Sequence, residues 1–176
     1  MARNLLKNPN GDEGMDFWEM TENGGSGWQV EDMPGDCGYN FVDETISKYF
    51  ATSFELCLKT QEIDLVTEGY DPEVLDTHPA TVTVQDWYSG RTDSGCVYQM
   101  KVNLLDENRE ILEVFSPVEV FLNPDIDDCS WRQVTNTVTV NPGLRYITFE
   151  HGGKDNKYWE GWFGVRVTGS SVTVDI

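Results

Sequence analysis

A short aromatic segment near the end of the chain carries the side chains best suited to binding a ligand. Residues 154–164 contain Tyr158, Trp159, Trp162 and Phe163, and four large rings cannot all face the core from one short connection. A Tyr or Trp ring offers an apolar face together with a polar atom, and the apolar C–H face of a sugar packs against such a surface. The segment therefore predicts ligand contact by Tyr158 and Trp159. The alternative is that both rings close the end of the core.

A second candidate lies in the aromatic and Gly-containing stretch 87–95, where Asp93 stands between Thr92 and Ser94. An ionised carboxylate accepts hydrogen bonds, so Asp93 could hold the hydroxyl groups of a ligand. The alternative is that Asp93 bonds its own backbone in an Asx-turn and fixes the loop. The residues alone leave both interpretations open.

Few residues suit catalysis. The chain holds two histidines. His151 could act as a general base, but no nucleophile motif accompanies it, and a turn residue whose ring bonds a neighbouring backbone group is the favoured interpretation. Among 31 acids some pair always suits glycoside hydrolysis, so a hydrolase stays open as the least favoured of the functions. Asp125, Asp127 and Asp128 lack the ligand spacing of calcium loops and are interpreted as a solvated loop. We expect no catalytic residue, no metal site and no cofactor.

The charge balance excludes two classes of partner. Twelve basic and 31 acidic residues give a net charge of −19, which repels nucleic-acid phosphates and anionic membrane surfaces. Residues 1–45 carry ten acids and two bases, whereas acids and bases cancel in residues 141–176. The last fifth of the chain is therefore the part best suited to a neutral ligand.

The apolar runs and the cysteines bear on the compartment. No apolar run approaches the roughly 20 residues that span a bilayer, and the first seven residues lack the apolar region of a signal peptide. The four cysteines are widely spaced without a CxxC pair, so we expect free, buried or half-buried thiols and neither disulfides nor a zinc site. The sequence predicts a cytoplasmic protein that does not insert into membranes.

Alternating apolar and polar residues dominate the chain and predict an all-β fold. The predicted strands are 53–59, 63–65, 81–84, 96–104, 118–122, 133–140, 145–149, 162–167 and 171–176, with turns at Asn141-Pro142-Gly143 and His151-Gly152-Gly153. Residues 71–76 predict one short helix, with Asp71 as its cap and Pro72 in its first turn. The first 30 residues predict loops pinned by Phe17, Trp18 and Trp28. The pattern is typical of a two-sheet antiparallel β-sandwich of jelly-roll or galactose-binding-like type.

A set of motifs, none of them decisive alone, runs in order through the whole chain. They are Arg3-Asn4-Leu5-Leu6, Asn8-Pro9, Phe17-Trp18, Asn23-Gly24-Gly25, Gly27-Trp28, Lys48-Tyr49-Phe50, Glu68-Gly69-Tyr70, Asp86-Trp87-Tyr88, Gly95-Cys96, Arg145-Tyr146, Glu150-His151-Gly152-Gly153, Tyr158-Trp159 and Gly164-Val165-Arg166-Val167-Thr168. In this order they resemble the F-box-associated domain of the sugar-recognising F-box proteins, over residues 2–175.

The resemblance implies one β-sandwich domain over residues 1–176 with no F-box of its own, either excised from a longer protein or a standalone member. It implies a non-catalytic receptor that binds the inner chitobiose of N-linked high-mannose glycans on misfolded glycoproteins. Joined to an F-box, such a domain serves a Skp1–cullin–F-box ubiquitin ligase in glycoprotein quality control. By position, the stacking pair falls on Tyr158 and Trp159, the sugar-bonding carboxylate on Asp93, and a supporting ring on Phe50 or Phe54.

One departure from the family pattern touches the predicted site. The position after the Tyr-Trp pair is Lys in the strongest sugar binders of the family and Glu160 here. Lys donates hydrogen bonds, whereas an ionised Glu only accepts them. The sequence therefore leaves a second hypothesis open, in which the same sandwich is a protein-interaction module that does not depend on glycans.

Overall fold

Two antiparallel sheets form the structure, a computed structural model that describes residues 3–176. One sheet has the strand order β1-β4-β10-β6-β7, with β8 also paired to β6, and the other has the order β2-β3-β11-β5-β9. The elements in chain order are β1 (Glu19–Asn23), β2 (Gln29–Asp32), β3 (Lys48–Ala51), β4 (Cys57–Asp64), α1 (Pro72–Thr77), β5 (Ala80–Ser89), β6 (Cys96–Leu105), β7 (Ile111–Phe115), β8 (Val120–Leu122), β9 (Arg132–Val140), β10 (Tyr146–Asp155) and β11 (Arg166–Asp175). The predicted all-β sandwich with one short helix is confirmed.

The core lies between the two sheets, because apolar residues alternate along the central strands. In β5, Val82 and Val84 are buried, and in β6, Val102 and Leu104 are buried from the opposite sheet. Residues i and i+2 of a strand face the same side, so every second residue reaches the core. Burial of such a side chain contributes about 1.5–3 kcal/mol, which holds the strands that carry the loops.

The short helix α1 forms where the sequence predicts it. Asp71 is its cap, and its carboxylate accepts a hydrogen bond from the backbone N–H of Glu73 at 2.9 Å. Pro72 occupies the first turn, where its missing N–H costs no helix bond. Leu75 is buried and fixes the helix on the sandwich.

The predicted turn at His151-Gly152-Gly153 is wrong, because these residues lie inside β10. A Cβ built on Gly152 would stand 1.9 Å from the carbonyl oxygen of Cys57, and one on Gly153 would stand 1.8 Å from that of Val97. The two glycines therefore allow close approach of the neighbouring strands and do not mark a reversal.

Other expected boundaries also move. Residues 162–165 are not strand, and β11 begins at Arg166, while the expected strands 53–59 and 63–65 are one strand that begins at Cys57. Strands β1, β2, β3 and β7 fall outside the predicted set.

Trp18 and Trp28 are buried as expected, but Phe17 is exposed. Asn141-Pro142-Gly143 joins β9 to β10, which lie in different sheets, so it crosses the sandwich and does not close a hairpin.

The structure bears on two further expectations, the state of the cysteines and the absence of a membrane-spanning helix. All four cysteines are free thiols; Cys57, Cys96 and Cys129 are buried, in line with an expectation of buried or half-buried thiols, whereas Cys37 is exposed and contradicts it. Within residues 3–176, no helix has the length and apolar character needed to cross a membrane. Of the N-terminal segment interpreted above, Met1 and Ala2 lie outside the described residues.

Strand pairing brings several loops to one end of the sandwich. The last residue of β10, Asp155, pairs with the first residue of β6, Cys96. The first residue of β11, Arg166, pairs with the last residue of β5, Ser89. The loop 156–165 between β10 and β11 therefore lies at the same end as the loop 90–95 between β5 and β6. The loops 24–28, 52–56 and 123–131 reach this end by the same register.

Candidate functional site

The loop 156–165 is held at its beginning by a buried carboxylate. One oxygen of Asp155 accepts hydrogen bonds from the backbone N–H groups of Lys157 and Tyr158, both at 2.8 Å. Asp155 is itself fully buried, and its backbone N–H donates to the carbonyl of Ser53 at 2.9 Å. Tyr158 has a φ of 57°, a left-handed conformation that is uncommon for non-glycine residues. Asp155 therefore sets the direction in which the chain presents the aromatic pair.

The same loop is held again at its end. The indole N–H of Trp162 donates to the carbonyl of Gly27 at 3.0 Å, and the backbone N–H of Gly161 donates to the hydroxyl oxygen of Ser26 at 3.2 Å. The backbone N–H of Gly164 donates a further hydrogen bond to the carbonyl of Thr52 at 3.1 Å. Trp162 is thus an anchor of the loop, which leaves Tyr158 and Trp159 between two fixed points.

Neither ring of the Tyr-Trp pair is sealed in the core. Tyr158 is 65% exposed and Trp159 is 43% exposed. The Trp159 ring packs edge-to-face on Phe163 at a centroid distance of 5.3 Å, and the Tyr158 hydroxyl accepts from Lys154 Nζ at 3.3 Å. The alternative interpretation, in which both rings close the end of the core, is therefore wrong. Both present aromatic surface to solvent.

Asp93 is held by a bidentate ion pair. Arg91 Nε and Nη2 donate to the two carboxylate oxygens of Asp93 at 2.7 and 2.8 Å. This charge-assisted fork is the strong form of a carboxylate contact, and the hydrogen bonds from Arg91 hold the pKa of Asp93 below its usual value of 3.8. The carboxylate is therefore ionised at neutral pH and keeps acceptor capacity on the solvent side.

A cleft of about 160 Å³ lies between the two loops. Its lining residues are Thr92, Asp93, Gly95, Asn123, Pro124, Asp125, Asn156 and Lys157. The loops touch directly, because the backbone N–H of Asn156 donates to the carbonyl of Gly95 at 3.1 Å. The cleft brings together a carboxylate, amides and the ammonium of Lys157, which directly precedes Tyr158 in the chain, a polar set that can pair with neutral hydroxyl-rich ligands.

Phe50 is not part of this site, which corrects the expectation. Its side chain is 0% exposed, and its ring contacts Trp18 and Trp28 at 6.1 and 6.3 Å between centroids. A ligand could reach it only if the sandwich opened. Phe54, the other candidate, is half-buried and packs beside Gly25. Gly25 belongs to the loop 24–28, which anchors Trp162 through the carbonyl of Gly27.

Glu160 is exposed in the loop between Trp159 and Gly161. It forms no ion pair with the described residues 3–176. A carboxylate therefore stands immediately after the exposed Trp159 in the chain, where a lysine would be a donor of hydrogen bonds.

His151 is neither a general base nor a turn residue. The ring is fully buried; its Nδ1 lies 2.6 Å from a carboxylate oxygen of Asp86, and its Nε2 lies 2.7 Å from Lys59 Nζ. Burial lowers the pKa of His151 from 6.5 to about 4 and lowers that of Lys59 well below its usual value. The group is a polar network inside the core, closed to substrates.

Sequence reasoning missed several residues of the site. Arg91 supports Asp93, and its guanidinium lies 4.3 Å from the centre of the Phe163 ring. Asn156 and Lys157 line the cleft. The signal for Arg91 was present in the sequence, since opposite charges two residues apart in a Gly-bounded loop suit a local ion pair. Within residues 3–176, no cluster of His, Cys, Asp or Glu could hold a metal ion.

Known proteins resemble this chain along its whole length. The family model described as the F-box associated region matches residues 1–174. F-box only protein 2 from Bos taurus is 52% identical over 98% of this chain and 59% of its own length. F-box only protein 6 from Homo sapiens is 46% identical over 99% of this chain and 59% of its own length. The chain thus spans about three-fifths of these relatives.

Solved structures support the fold independently. The enzymatically active domain of bacteriophage CBA120 tailspike protein 4 superposes with a TM-score of 0.61 at 13% identity, covering 98% of this chain and 21% of that one. The N-terminal CBM22-1-CBM22-2 tandem domain from Paenibacillus barcinonensis Xyn10C gives 0.55 at 12% identity, covering 98% and 50%. At such identities the likeness concerns the β-sandwich alone. Because the family match covers almost every residue of both sheets, this chain belongs to the F-box associated family.

Proposed function

We propose that residues 1–176 form one F-box-associated domain that binds the inner chitobiose of N-linked high-mannose glycans without catalysis. The observation that carries this proposal is the exposed Tyr158-Trp159 pair, presented by a loop fixed at both ends beside the Asp93 cleft. Stacking on a fixed ring avoids the entropy cost of ordering a mobile one.

The division of labour follows from the chemistry of each group. Trp159 and Tyr158 supply flat apolar surface for the C–H face of a sugar ring. Asp93, ionised because Arg91 lowers its pKa, accepts hydrogen bonds from sugar hydroxyl or amide N–H groups. Asn156 can donate and accept, and Lys157 can donate. Together these side chains offer an apolar surface to the C–H face of an N-acetylated, uncharged sugar and hydrogen bonds to its hydroxyl and amide groups.

The larger role follows from the family. We propose that a protein containing this domain and an F-box acts as a substrate receptor of a Skp1–cullin–F-box ubiquitin ligase in the cytoplasm. Its substrates are misfolded glycoproteins that still carry high-mannose glycans. The length of the relatives supports this proposal, since each F-box only protein contains residues beyond the part that this chain matches.

Glu160 favours a second candidate function, a protein-interaction module that does not bind glycans. The exposed carboxylate lies directly after Trp159, where a ligand would meet an acceptor and not a donor. In that case the aromatic pair contacts a protein surface. The two functions differ in one measurable property, affinity for a free sugar.

Calorimetric titration of chitobiose into the protein tests the proposal. Removing a stacking ring costs about 1–3 kcal/mol, so Trp159→Ala should raise the dissociation constant about five- to 150-fold. Phe17→Ala is the matched control, because Phe17 is another exposed aromatic side chain outside the candidate site, and its affinity should equal that of the wild type. Absence of heat with the wild type, together with binding of a deglycosylated client protein, would favour the second function.

A further inference from the structure

One edge of the first sheet is interrupted. Strand β7 pairs with residues 102–105 of β6, and β8 pairs with residues 96–98 of the same strand. Between them, residues 116–119 leave Gln99, Met100 and Lys101 without a strand partner on this side, although these three pair with β10 on the other. We call residues 111–122 the interrupted edge. The strand order of the sheet ends here, so in the described chain no further strand covers it.

A cleft of about 230 Å³ opens beside the unpaired stretch of β6, where residues 116–119 connect β7 to β8. Its lining includes Leu58, Gln99, Lys101, Pro117, Glu119 and Glu150. Leu58 and Pro117 supply apolar surface. The carboxylates of Glu119 and Glu150 have no ion-pair partner among residues 3–176, although Glu150 accepts a hydrogen bond from the Thr21 hydroxyl at 2.9 Å. The cleft therefore joins an apolar wall to two unpaired acids and one base, Lys101, so that its lining has a net charge of 1 − 2 = −1.

Exposed apolar side chains continue along the interrupted edge. Val118 is 89% exposed and Phe121 is 71% exposed, and Ile111 and Val114 are exposed as well. Proteins usually protect an open sheet edge with charges or a covering segment, and clustered exposed apolar residues mark interaction surfaces. The edge is thus suited to a partner that adds backbone hydrogen bonds and apolar contacts together.

Charge decides what that partner is. Residues 106–128 contain eight acids and one base, a net charge of 1 − 8 = −7, and the single base, Arg109, is already paired with Glu62. A second copy of this chain, at −19, is repelled. Anionic lipid is repelled for the same reason. A cationic partner is attracted, and the apolar residues require that it also carry apolar side chains.

We propose that the interrupted edge binds an extended polypeptide segment that carries basic and apolar residues in turn at every second position, so that both kinds face the side shared by Phe121 and Glu150. A Lys or Arg side chain enters the cleft, with its aliphatic stem along Leu58 and Pro117 and its charge between Glu119 and Glu150. The apolar residues of the segment pack on Val118 and Phe121. Its backbone bonds the free edge of the sheet. This surface is separate from the aromatic loop 156–165 and does not depend on glycan binding.

Fluorescence anisotropy with a labelled peptide of the repeat lysine-threonine-valine-threonine, about ten residues long as in a typical strand, tests this proposal, because its lysines and valines share one face. We expect binding at low salt, weakened about tenfold by Glu119→Gln and by Phe121→Ser, each of which removes one proposed contact. Val42→Ser is the matched control, because Val42 is 69% exposed outside the interrupted edge. In NMR spectra, the amides of residues 99–101 and 111–115 should shift on peptide addition.

Three outcomes would overturn the proposal. A peptide in which glycine replaces every valine and that binds as tightly as the parent peptide would reduce the attraction to charge alone. Unchanged affinity in both Glu119→Gln and Phe121→Ser would move the binding site elsewhere. A concentration-dependent dimer in sedimentation, abolished by Phe121→Ser, would assign the edge to a second copy of this chain.

Discussion

The guanidinium of Arg91 lies 4.3 Å from the centre of the Phe163 ring while its nitrogen atoms hold Asp93. Phe163 in turn supports Trp159, because the two rings pack edge-to-face with their centroids 5.3 Å apart. Through these contacts the acid and the stacking ring of the proposed sugar site, which come from different loops, have a common support. The position of one therefore depends on the position of the other.

Replacing Arg91 by lysine tests this common support. Arg91→Lys keeps the positive charge but loses the planar fork that bonds two oxygens and stacks on a ring. We expect weaker chitobiose binding, by about tenfold if one charge-assisted hydrogen bond of roughly 1.5 kcal/mol is lost, and a pKa of Asp93 that moves up toward its usual value. Calorimetry and an NMR pH titration of the Asp93 carboxyl measure the two effects. If neither quantity changes, Arg91 does not position the site.

The aromatic residues and the local Arg91–Asp93 pair of the site were visible in the sequence, whereas the contact of Arg91 with Phe163 was not. Four rings in one short connection cannot all be buried, so the sequence predicts some exposed rings, and the structure shows that Tyr158 and Trp159 are exposed. The support for Asp93 depends on Phe163, which lies in another loop and meets Arg91 only because β5, β6, β10 and β11 pair in one register. A single sequence does not show that register.

The errors also have physical causes. Phe50 stands in a position that suits either a site residue or a core residue, and pairing with Val30 and Val167 puts it in the core. His151-Gly152-Gly153 carries a turn composition, but the glycines serve close strand approach. Short edge strands such as β1 have exposed residues throughout, so they leave no alternating pattern to detect.

Asp155 offers a test of loop positioning that leaves the sugar contacts themselves intact. Asp155→Ala removes the acceptor for the N–H groups of Lys157 and Tyr158, at a cost of about 1 kcal/mol per hydrogen bond. We expect faster hydrogen exchange at these amides and weaker chitobiose binding. Asp155→Asn is the control, since its side-chain oxygen still accepts hydrogen bonds. Equal loss in both variants would show that burial of the side chain matters and its hydrogen bonds do not.

Glu160→Lys tests the departure from the family pattern. The change replaces an exposed acceptor beside Trp159 by a donor, so affinity for chitobiose should increase several-fold in calorimetric titrations. Glu55→Lys, which makes the same charge change at another exposed position, is the control for net charge. A lower affinity in Glu160→Lys would mean that Glu160 itself bonds the sugar.

The buried network of Lys59, His151 and Asp86 predicts acid sensitivity of the fold. Burial lowers the pKa of His151 from 6.5 to about 4, so above pH 6.5 the ring is neutral in both folded and unfolded chains. Between these values the unfolded chain binds a proton that the folded chain rejects, and the free energy of unfolding decreases as pH falls. The loss approaches about 3 kcal/mol near pH 4, from the size of the shift. Lys59, also with a lowered pKa, acts in the same direction at higher pH, because its unfolded form binds a proton up to its usual pKa.

Urea unfolding at a series of pH values measures this slope. His151→Gln should lower stability at neutral pH, because the hydrogen bonds of the ring to Asp86 and Lys59 are replaced imperfectly. It should also flatten the dependence between pH 6.5 and 4, since the titrating group is gone. His78→Gln removes an imidazole that is exposed at the end of α1 and should retain the wild-type slope. An unchanged slope in His151→Gln would place the origin of the acid sensitivity in other groups, because only a group that titrates differently in the folded and unfolded chains makes stability depend on pH.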